Sequence, residues 1–367
     1  MNTKNWIDSS YLARYLLLNA VDISDYNVFP EREIQNSPPI FHFLPSENGE
    51  AVSSVLSQAV PTNTQRSPTE TIDEFLKRNG TVAFLVLKND ILLFERYYHG
   101  YDHSSICTSF STVKSFVSAM VGIALHERLL HGLDDPITKY LPELKATHWS
   151  EISLRHLVSM SSGLKYSQNG FFPWNDEPRV YYSLDLRELA RNARREELPA
   201  IHFHYNNYNL ILLGMILERV TGSHVSNYLQ EKLWKPLGME FPASWSLDSQ
   251  KSGMEKMESG LNARAIDFAK FGRLYLHHGN WNGKQIIPES WIVESTTVEP
   301  DAKWANYKYL WWIPRSGKGR FMAVGNLGQF IYVAPDKDCI ILRFGRGKPR
   351  NWQRVYPQLF ASIAELL

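Results

Sequence analysis

The chain has 367 residues, enough for two domains or for one large domain with an insertion. Its hydrophobic fraction of 44%, charged fraction of 21% and formal net charge of +1 describe an ordinary globular protein and argue against dedicated nucleic-acid binding. No apolar run reaches the roughly 18 residues of a membrane-spanning helix.

The first apolar segment, YLARYLLLNAV at residues 11–21, predicts an amphipathic helix rather than a secretion signal. Arg14 interrupts it, and no small-residue cleavage site follows. Cys107 and Cys339 are the two cysteines, and they give neither a disulfide framework nor a metal cluster. These features predict a reduced, cytoplasmic protein with no metal or organic cofactor and no membrane partner, and they leave the oligomeric state open.

Two β-branched and aromatic runs, VAFLVLKND and ILLFERYYHG, predict a β-hairpin joined at residues 88–90. From residue 111 the periodicity becomes helical. Strand patterns return after residue 306, in YKYLWWIP, RFMAVGNLGQFIYVAP and CIILRFG, before a terminal amphipathic helix. The predicted helices between the two strand regions are 111–131, 136–142, 153–161, 184–197, 207–221, 224–234, 264–278 and one near 287.

Strands near both ends with helices between them predict an α/β (α+β) fold, in which helices flank one antiparallel sheet and an all-helical domain is inserted. We expect residues 1–105 to form an N-terminal region and the first part of the α/β domain. Residues 106–284 would form the helical domain, and residues 285–367 the remainder of the α/β domain with its glycine-bearing strand.

The stretch TSFSTVKSFVSAMVGIAL places Ser111 three positions before Lys114, where an apolar helix begins. The positive end of the helix dipole would favour a negative charge developing on the serine oxygen. A lysine among Val113 and Phe116 is partly desolvated, which favours the neutral amine that can accept a proton. The alternative is that Ser111 only caps the helix and Lys114 reaches solvent. This segment alone does not decide between them.

A second Ser-x-x-Lys, at Ser162 and Lys165, fits the chemistry less well. Gly163 breaks the helix directly after the serine, so Lys165 need not lie on the same face. Spacing by itself therefore does not identify the nucleophile.

Two further elements follow Ser111 in chain order. Tyr205 and Asn207 form a Tyr-x-Asn just before the apolar helix of YNLILLGMILERVTG. About 120 residues later, AVGNLGQFIYVAPD supplies the glycine-bearing strand. This order is similar to the three-motif arrangement of penicillin-recognising serine enzymes.

The resemblance extends over roughly residues 70–367. The chain resembles the class C β-lactamase-related serine hydrolases, a family of β-lactamases, D-Ala-D-Ala carboxypeptidases, esterases and 6-aminohexanoate-dimer hydrolases, and is most similar to the nylon-oligomer hydrolase branch. The supporting segments are DYNVFPEREIQNS, ITKYLPEL, ISLRHLVSMSSGL, LERVTGSHVSNYLQEKLWKPLGM, NARAIDFAKFGRLYLHHGNWNGKQIIPESWI and GNLGQ.

The resemblance implies a β-lactamase/transpeptidase-like fold and a role for each matching position. Ser111 corresponds to the acylated serine and Lys114 to the motif lysine. Tyr205 corresponds to the tyrosine that relays a proton to the leaving group, and Asn207 to the side chain that holds the substrate carbonyl. The backbone N–H groups of Ser111 and Gln329 would form the oxyanion hole.

One departure concerns the third motif, which usually opens with Lys or His. Asn326-Leu327-Gly328 stands there instead, with Asn326 and Gly328 as candidate substrate-binding residues. Gly328 suits a close approach of substrate to the strand backbone. The missing cation puts recognition of a substrate carboxylate in doubt and predicts poor β-lactam turnover.

We therefore expect a serine hydrolase that cleaves a small ester or amide through a covalent acyl-enzyme on Ser111. The alternative is a non-hydrolysing binding or scaffold protein that keeps the penicillin-recognising fold. His202 and His204 are read as structural histidines rather than metal ligands. A Cys107 nucleophile is disfavoured because no partner histidine is identifiable. The cluster RFGRGKPRNWQR is expected to be a solvated loop, or else to meet an anionic substrate.

Overall fold

The architecture consists of two antiparallel sheets and a set of helices between and around them. The computed structural model describes residues 9–18, 21–47, 49–61, 70–168, 172–298, 306–314, 318–347 and 351–367. In these ranges the helices are α1 (Ser9–Leu18), α2 (Gly49–Gln58), α3 (Ile72–Arg78), α4 (Val113–His126), α5 (Thr147–Ser150), α6 (Leu154–Val158), α7 (Asp176–Tyr182), α8 (Leu186–Arg191), α9 (Tyr208–Thr221), α10 (Val225–Leu229), α11 (Ala265–Leu276), α12 (Glu289–Thr296) and α13 (Trp352–Leu366).

The strands divide into a large sheet, a small sheet and one isolated hairpin. Their bounds are β1 (Glu31–Ile34), β2 (Leu44–Pro45), β3 (Thr81–Lys88), β4 (Ile91–Tyr97), β5 (Ile106–Thr108), β6 (Ala243–Ser246), β7 (Leu261–Arg264), β8 (Asn280–Trp281), β9 (Lys284–Gln285), β10 (Tyr307–Lys308), β11 (Trp311–Trp312), β12 (Phe321–Gly325), β13 (Gln329–Ala334) and β14 (Cys339–Gly345).

The large sheet is assembled from both strand regions, as the sequence predicted. Its order is β10-β11-β12-β13-β14-β3-β4-β2, and neighbours are antiparallel except for β2 and β4, which run parallel. The pairing of β14 with β3 joins the two regions. The predicted β3–β4 hairpin is confirmed, and its turn residues Asn89 and Asp90 both have positive φ, as a tight two-residue connection requires.

Both faces of the large sheet are covered, which explains why β3 is an unbroken apolar run. Leu85 and Leu87 of β3 face the core shared with the helices that carry the candidate site. Phe84 and Val86 face a second core, closed by α2, α3 and α13. Because successive side chains of a strand point to opposite faces, a strand covered on both sides is apolar at every position.

Helix α4 is the central helix of the fold, since every residue from Val113 to Ala124 is buried. The apolar helix after the Tyr-x-Asn, α9, is buried over most of its length as well. The sequence predicted both helices from patterns that are apolar on nearly every side. Such helices lie inside a protein rather than on its surface.

The small sheet was not predicted from the sequence. Its order is β1-β6-β7-β5, and three of its strands lie within residues 106–284, the segment expected to be all-helical. Each of these strands has only three or four residues, too few for a period of two to stand out against adjoining helical patterns. The division at residues 105 and 284 stays a prediction.

Two further expectations can be compared with the described residues. Arg343, the first residue of the basic cluster, is fully buried rather than solvated, whereas Lys348 and Arg350 lie outside the described residues. None of the helices in the described part of the chain has the length and apolar character needed to cross a lipid bilayer.

The packing of α4 can be tested at Gly122. A β-carbon there would collide with the indole ring of Trp291 on α12, so we expect Gly122→Ala to lower the free energy of unfolding by about 1–3 kcal/mol. A β-carbon on Gly132 would meet no atom within 4 Å, so Gly132→Ala should change stability by less than about 1 kcal/mol. Urea unfolding of both variants measures the difference, and equal stabilities would contradict this packing.

Candidate active site

Ser111 lies in a short 3-10 turn, Phe110–Thr112, which leads directly into α4. The sequence placed the serine in the first helical turn, and the structure places it just before that turn. Phe110 has a φ of 44°, an unfavourable conformation for a bulky residue. This geometry presents half-buried Ser111 at the mouth of a buried helix.

The side chain of Lys114 reaches back to the serine. Its Nζ lies 2.9 Å from Ser111 Oγ and donates to the backbone carbonyl of Glu258 at 2.9 Å. Lys114 is only 2% exposed, and within the described residues no carboxylate lies at ion-pair distance from it. The structure therefore brings the predicted serine and lysine into direct contact and contradicts a lysine that reaches solvent.

Tyr205 completes the surroundings of the lysine. Lys114 Nζ lies over the Tyr205 ring, 5.0 Å from its centroid. The ring stacks on Trp312, with centroids 6.0 Å apart, and meets the edge of Tyr307 at 6.1 Å. The aromatic segment YKYLWWIP of the sequence thus contributes Tyr307 and Trp312 to the wall behind Tyr205, and these two rings fix the orientation of Tyr205.

Asn207 lies in the same cleft as Ser111 but is oriented differently from the expectation. Its Nδ2 donates to Tyr166 Oη at 2.9 Å and to Glu177 Oε2 at 3.2 Å. Its Oδ1 is buried and has no hydrogen-bond partner. A side chain that holds a substrate carbonyl must offer a donor, whereas Asn207 here offers an acceptor.

The backbone of β12 packs against the turn that holds the serine. A β-carbon on Gly325 would lie 2.7 Å from the carbonyl oxygen of Ser109 and 3.2 Å from the amide nitrogen of Ser111. Only a residue without a side chain allows this approach. The next residue, Asn326, lines the same cleft as Ser111. Gly325 is a site residue that the sequence analysis missed, although it stands in the quoted AVGNLGQ segment.

Gln329 and Gly328 have different surroundings from those expected. The N–H of Gln329 donates to the carbonyl of Asn326, and its side chain exchanges two 2.7 Å hydrogen bonds with the backbone of Gly345. Gly328 has a φ of 78°, and a β-carbon there would lie 2.5 Å from Arg343 Nη1. The glycine is therefore required by the turn and by Arg343 rather than by an approaching substrate.

Arg343 fixes the turn between β12 and β13. Its guanidinium donates to the carbonyls of Leu327 and Gly328 at 2.8 and 2.6 Å, and to that of Asn79 at 2.9 Å. Burial lowers the pKa of this guanidinium. No carboxylate among the described residues forms an ion pair with Arg343, so backbone carbonyls, the Thr81 hydroxyl and the Tyr356 ring surround this buried cation in place of a counter-charge.

Ser111 opens into a small cleft that Asn207 and Asn326 also line. Two glutamates line it that the sequence analysis did not single out, Glu177 and Glu258. Glu177 is in the first turn of α7, and Glu258 precedes β7. In the sequence both stand next to other charged residues, Glu177 beside Asp176 and Glu258 near Lys256, so nothing there distinguishes a cleft residue from a surface residue.

The two nucleophiles that the sequence analysis disfavoured, Ser162 and Cys107, have no partner base in the structure described. Ser162 Oγ donates to Asn209 Oδ1 at 2.6 Å, whereas Lys165 is exposed, so this Ser-x-x-Lys does not form a pair. Cys107 is buried, and burial raises the pKa of its thiol. The ring Nδ1 of exposed His202 lies 2.7 Å from Glu197 Oε2, a hydrogen-bond distance.

One group of side chains outside the cleft has ligand atoms close enough for a metal ion. Glu218, His224 and Glu255 bring one such atom each within 4.8 Å of the others. Both carboxylates already have arginine partners, Arg187 on Glu218 and Arg32 on Glu255. Those guanidinium groups disfavour a second cation there.

Comparisons with known proteins identify the family of the chain. A sequence model described as Beta-lactamase matches residues 69–359. The 6-aminohexanoate-dimer hydrolase of Paenarthrobacter ureafaciens is 23% identical over 328 residues, which cover 81% of each chain. Among solved structures, a putative 6-aminohexanoate-dimer hydrolase from Bacillus anthracis superposes with a TM-score of 0.81 at 27% identity, over 99% of this chain and 96% of that one.

A more distant likeness supports the fold. A penicillin-binding protein from Bacillus halodurans has a TM-score of 0.62 at 17% identity, over 78% of this chain and 97% of that one. The predicted mixed fold, with an antiparallel sheet flanked by helices, is confirmed by these neighbours and by the sheet order.

The contact between Lys114 and Ser111 predicts that the lysine controls the reactivity of the serine. We expect Lys114→Met, of similar length and apolar, to slow the labelling of Ser111 by a fluorophosphonate at least about 100-fold, because a proton acceptor is lost. Lys165→Met, in the other Ser-x-x-Lys, should leave the rate unchanged. Labelling is followed by mass spectrometry of the Ser111 peptide, and equal rates in both variants would show that Lys114 is not the base.

Proposed function

The chain belongs to the Beta-lactamase family, and on that premise we propose that it is a serine hydrolase that cleaves a small ester or amide through a covalent acyl-enzyme on Ser111. The observation that carries the proposal is the 2.9 Å contact between Ser111 Oγ and Lys114 Nζ at the opening of the cleft. A serine needs an adjacent base to become a nucleophile, and this contact supplies one.

In the first half of the reaction, neutral Lys114 takes the Ser111 hydroxyl proton. The carbonyl of Glu258 can only accept hydrogen bonds, so it holds one N–H of the amine and leaves the lone pair of Nζ for the serine. Ser111 Oγ then bonds to the substrate carbonyl carbon, whose π-electron pair moves onto oxygen. The carbonyl then re-forms and the bond between its carbon and the leaving group breaks, while Tyr205, beside Lys114, passes the proton from the lysine to the leaving group.

We assign the oxyanion hole to the backbone N–H groups of Ser111 and Asn326. The Ser111 amide lies against β12 at Gly325, and Asn326 follows Gly325 and lines the cleft. Gln329, which the family resemblance suggested, does not line the cleft, and its N–H donates to Asn326. Two amides that converge on one point can stabilise the charge that develops on the substrate oxygen.

In the second half of the reaction, water attacks the acyl-enzyme. The pair Lys114 and Tyr205 accepts one proton from the water, and the water oxygen bonds to the carbonyl carbon of the acyl group. The bond between that carbon and Ser111 Oγ then breaks. The proton returns to Ser111, and the carboxylic acid is released. This sequence uses only groups of this chain and needs no other reactant than water.

Two observations narrow the substrate. A substrate carboxylate would need a Lys or His beside the serine. Neither residue type occurs in the strand segment Ala323 to Gly325 or in the turn Asn326 to Gly328 that follows it. The similarity to 6-aminohexanoate-dimer hydrolases supports a linear amide as one candidate, alongside simple esters. We therefore expect β-lactams and D-Ala peptides, which carry carboxylates, to be poor substrates.

The choice of nucleophile is tested by replacing each serine of the two Ser-x-x-Lys copies. Ser111→Ala should abolish hydrolysis of a p-nitrophenyl acyl ester, because it removes the hydroxyl that contacts Lys114 in the cleft. Ser162→Ala, with its hydroxyl outside the cleft, should retain hydrolysis per folded molecule. Full activity of Ser111→Ala would refute the assignment, and the absence of any fluorophosphonate adduct at Ser111 would favour a binding or scaffold protein.

The assigned oxyanion hole is tested at Gly325. A methyl group there would push β12 away from Ser111, so we expect Gly325→Ala to lower kcat about 100-fold, the usual effect of losing one oxyanion donor, with a small change in KM. Gly132→Ala serves as the control because it adds the same methyl group in open space. Steady-state kinetics on one ester provides both constants, and an unchanged kcat in Gly325→Ala would place the donor elsewhere.

A further inference from the structure

The loop that leads into β7 carries buried charge next to Lys114. Lys256 is 1% exposed and Glu258 is 3% exposed, and the two form an ion pair with 3.4 Å between Nζ and Oε1. Burying an ion pair costs free energy, because both charges lose their water, and the attraction between them often fails to restore that loss. An ion pair buried beside a reactive serine therefore calls for a reason other than stability.

Glu258 connects this ion pair to Lys114 through its two ends. Its backbone carbonyl accepts a hydrogen bond from Lys114 Nζ at 2.9 Å, and its carboxylate Oε1 accepts one from Ser259 Oγ at 2.9 Å. The other carboxylate oxygen, Oε2, receives no hydrogen bond. A negative charge thus lies within the length of one residue from the amine that has to accept a proton. Among the described residues, Lys256 is the cation at ion-pair distance from this charge.

An unbalanced carboxylate at this place would oppose the proposed reaction. A nearby negative charge favours the protonated form of an amine, and a protonated Lys114 has no lone pair to take the Ser111 hydroxyl proton. Because little water screens charges in the interior, the carboxylate acts on the amine more strongly there than it would at the surface. The ammonium group of Lys256 offsets this charge and so favours the neutral amine.

Lys256 is fixed in place without touching the cleft. Its Nζ donates to the backbone carbonyl of Tyr181 and lies 4.4 Å from the ring centroids of both Phe29 and Tyr181. Burial lowers the pKa of its amine, and the neighbouring charge of Glu258 opposes that effect. Lys256 is not among the residues that line the cleft, so it acts on the reaction through Glu258.

Other ionisable groups surround the ion pair without replacing it. They are Arg14 of α1, Asp25 of the 3-10 turn Asp25–Asn27, Tyr181 of α7 and Asp248 in the loop after β6, while Glu177 is the other carboxylate of the cleft. No aspartate among the described residues lies at ion-pair distance from Lys256. The neighbours of the Lys114 amine are Ser111 Oγ, the Tyr205 ring and the carbonyl of Glu258.

We propose that Lys256 is a positioning residue that keeps Lys114 ready to accept the serine proton, because it offsets the charge of Glu258 and fixes the position of that residue. This inference rests on the proposed serine hydrolase function and adds one residue to it. Lys256 takes part in no bond making or breaking, and the proton moves between Ser111, Lys114 and Tyr205 as before. The alternative is that the ion pair only stabilises the loop, and the two differ in how reactivity depends on pH.

The test follows the rate at which a fluorophosphonate labels Ser111 between about pH 5 and pH 9, since the acidic limb of that profile reports protonation of the base in the free enzyme. We expect Lys256→Met to move the acidic limb to higher pH by about one unit, because the carboxylate is left uncompensated. Adding Glu258→Gln to that variant should return the limb to its wild-type position. A lysine needed for structure alone would not be rescued by a second substitution in its partner.

Lys270→Met is the matched control. Lys270 is 0% exposed and pairs with Asp267 and Glu240, and it does not line the cleft. Its replacement should lower stability and leave the acidic limb where it is in the wild type. Urea unfolding curves establish that each variant is folded. If Lys256→Met does not fold, Glu258→Gln decides alone, and its limb should move to lower pH because only the positive charge of the pair remains near Lys114.

The outcomes separate this inference from the proposed function. An acidic limb that stays in place in both Lys256→Met and Glu258→Gln would leave the serine hydrolase standing and overturn the role of Lys256. A limb that shifts in Lys256→Met and does not return in the double variant would also overturn it, because the lysine would then act through structure alone. If Ser111 of the wild type is not labelled at any pH, the proposed function fails and this inference fails with it.

Discussion

The site depends on keeping one amine, that of Lys114, out of water without an ion pair. A buried amine must satisfy its hydrogen-bonding groups locally, and this lysine does so with Ser111 Oγ and the carbonyl of Glu258. The neighbouring elements keep the amine away from water. Helix α4, which carries Lys114 in its first turn, is buried from Val113 to Ala124, and the Tyr205 ring lies over the amine.

A second constraint is the close approach of β12 to the turn that holds the serine. The approach requires Gly325, and the direction of the strand beyond it is set by the turn at Leu327 and Gly328. Arg343 holds that turn by donating hydrogen bonds to its backbone carbonyls. The guanidinium is buried, and no carboxylate among the described residues forms an ion pair with it. A cation behind the strand thus stabilises the backbone, whereas family members with a third-motif Lys or His present their cation to the substrate.

The chemistry of the site was easier to predict from the sequence than its geometry. Ser111, Lys114 and Tyr205 were identified because a long buried helix pattern and the order of motifs are properties of the linear chain. The register of the third motif was not identified, because Gly325 and Gly328 both suit a strand and only packing separates them. The orientation of the Asn207 amide could not be predicted either, because it is set by hydrogen bonds to Tyr166 and Glu177, which are distant in sequence.

The same reasoning connects the missing cation with the carboxylates of the cleft. The described lining of the cleft contains two carboxylates, Glu177 and Glu258, and no lysine, arginine or histidine. Glu177 lines the cleft and forms no ion pair among the described residues, and the buried Oδ1 of Asn207 receives no hydrogen bond. An acyl group with a negative charge would meet these acceptors without a compensating cation in the described lining of the cleft. The absence of a third-motif Lys or His and the carboxylates of the cleft therefore act in the same direction, against anionic substrates.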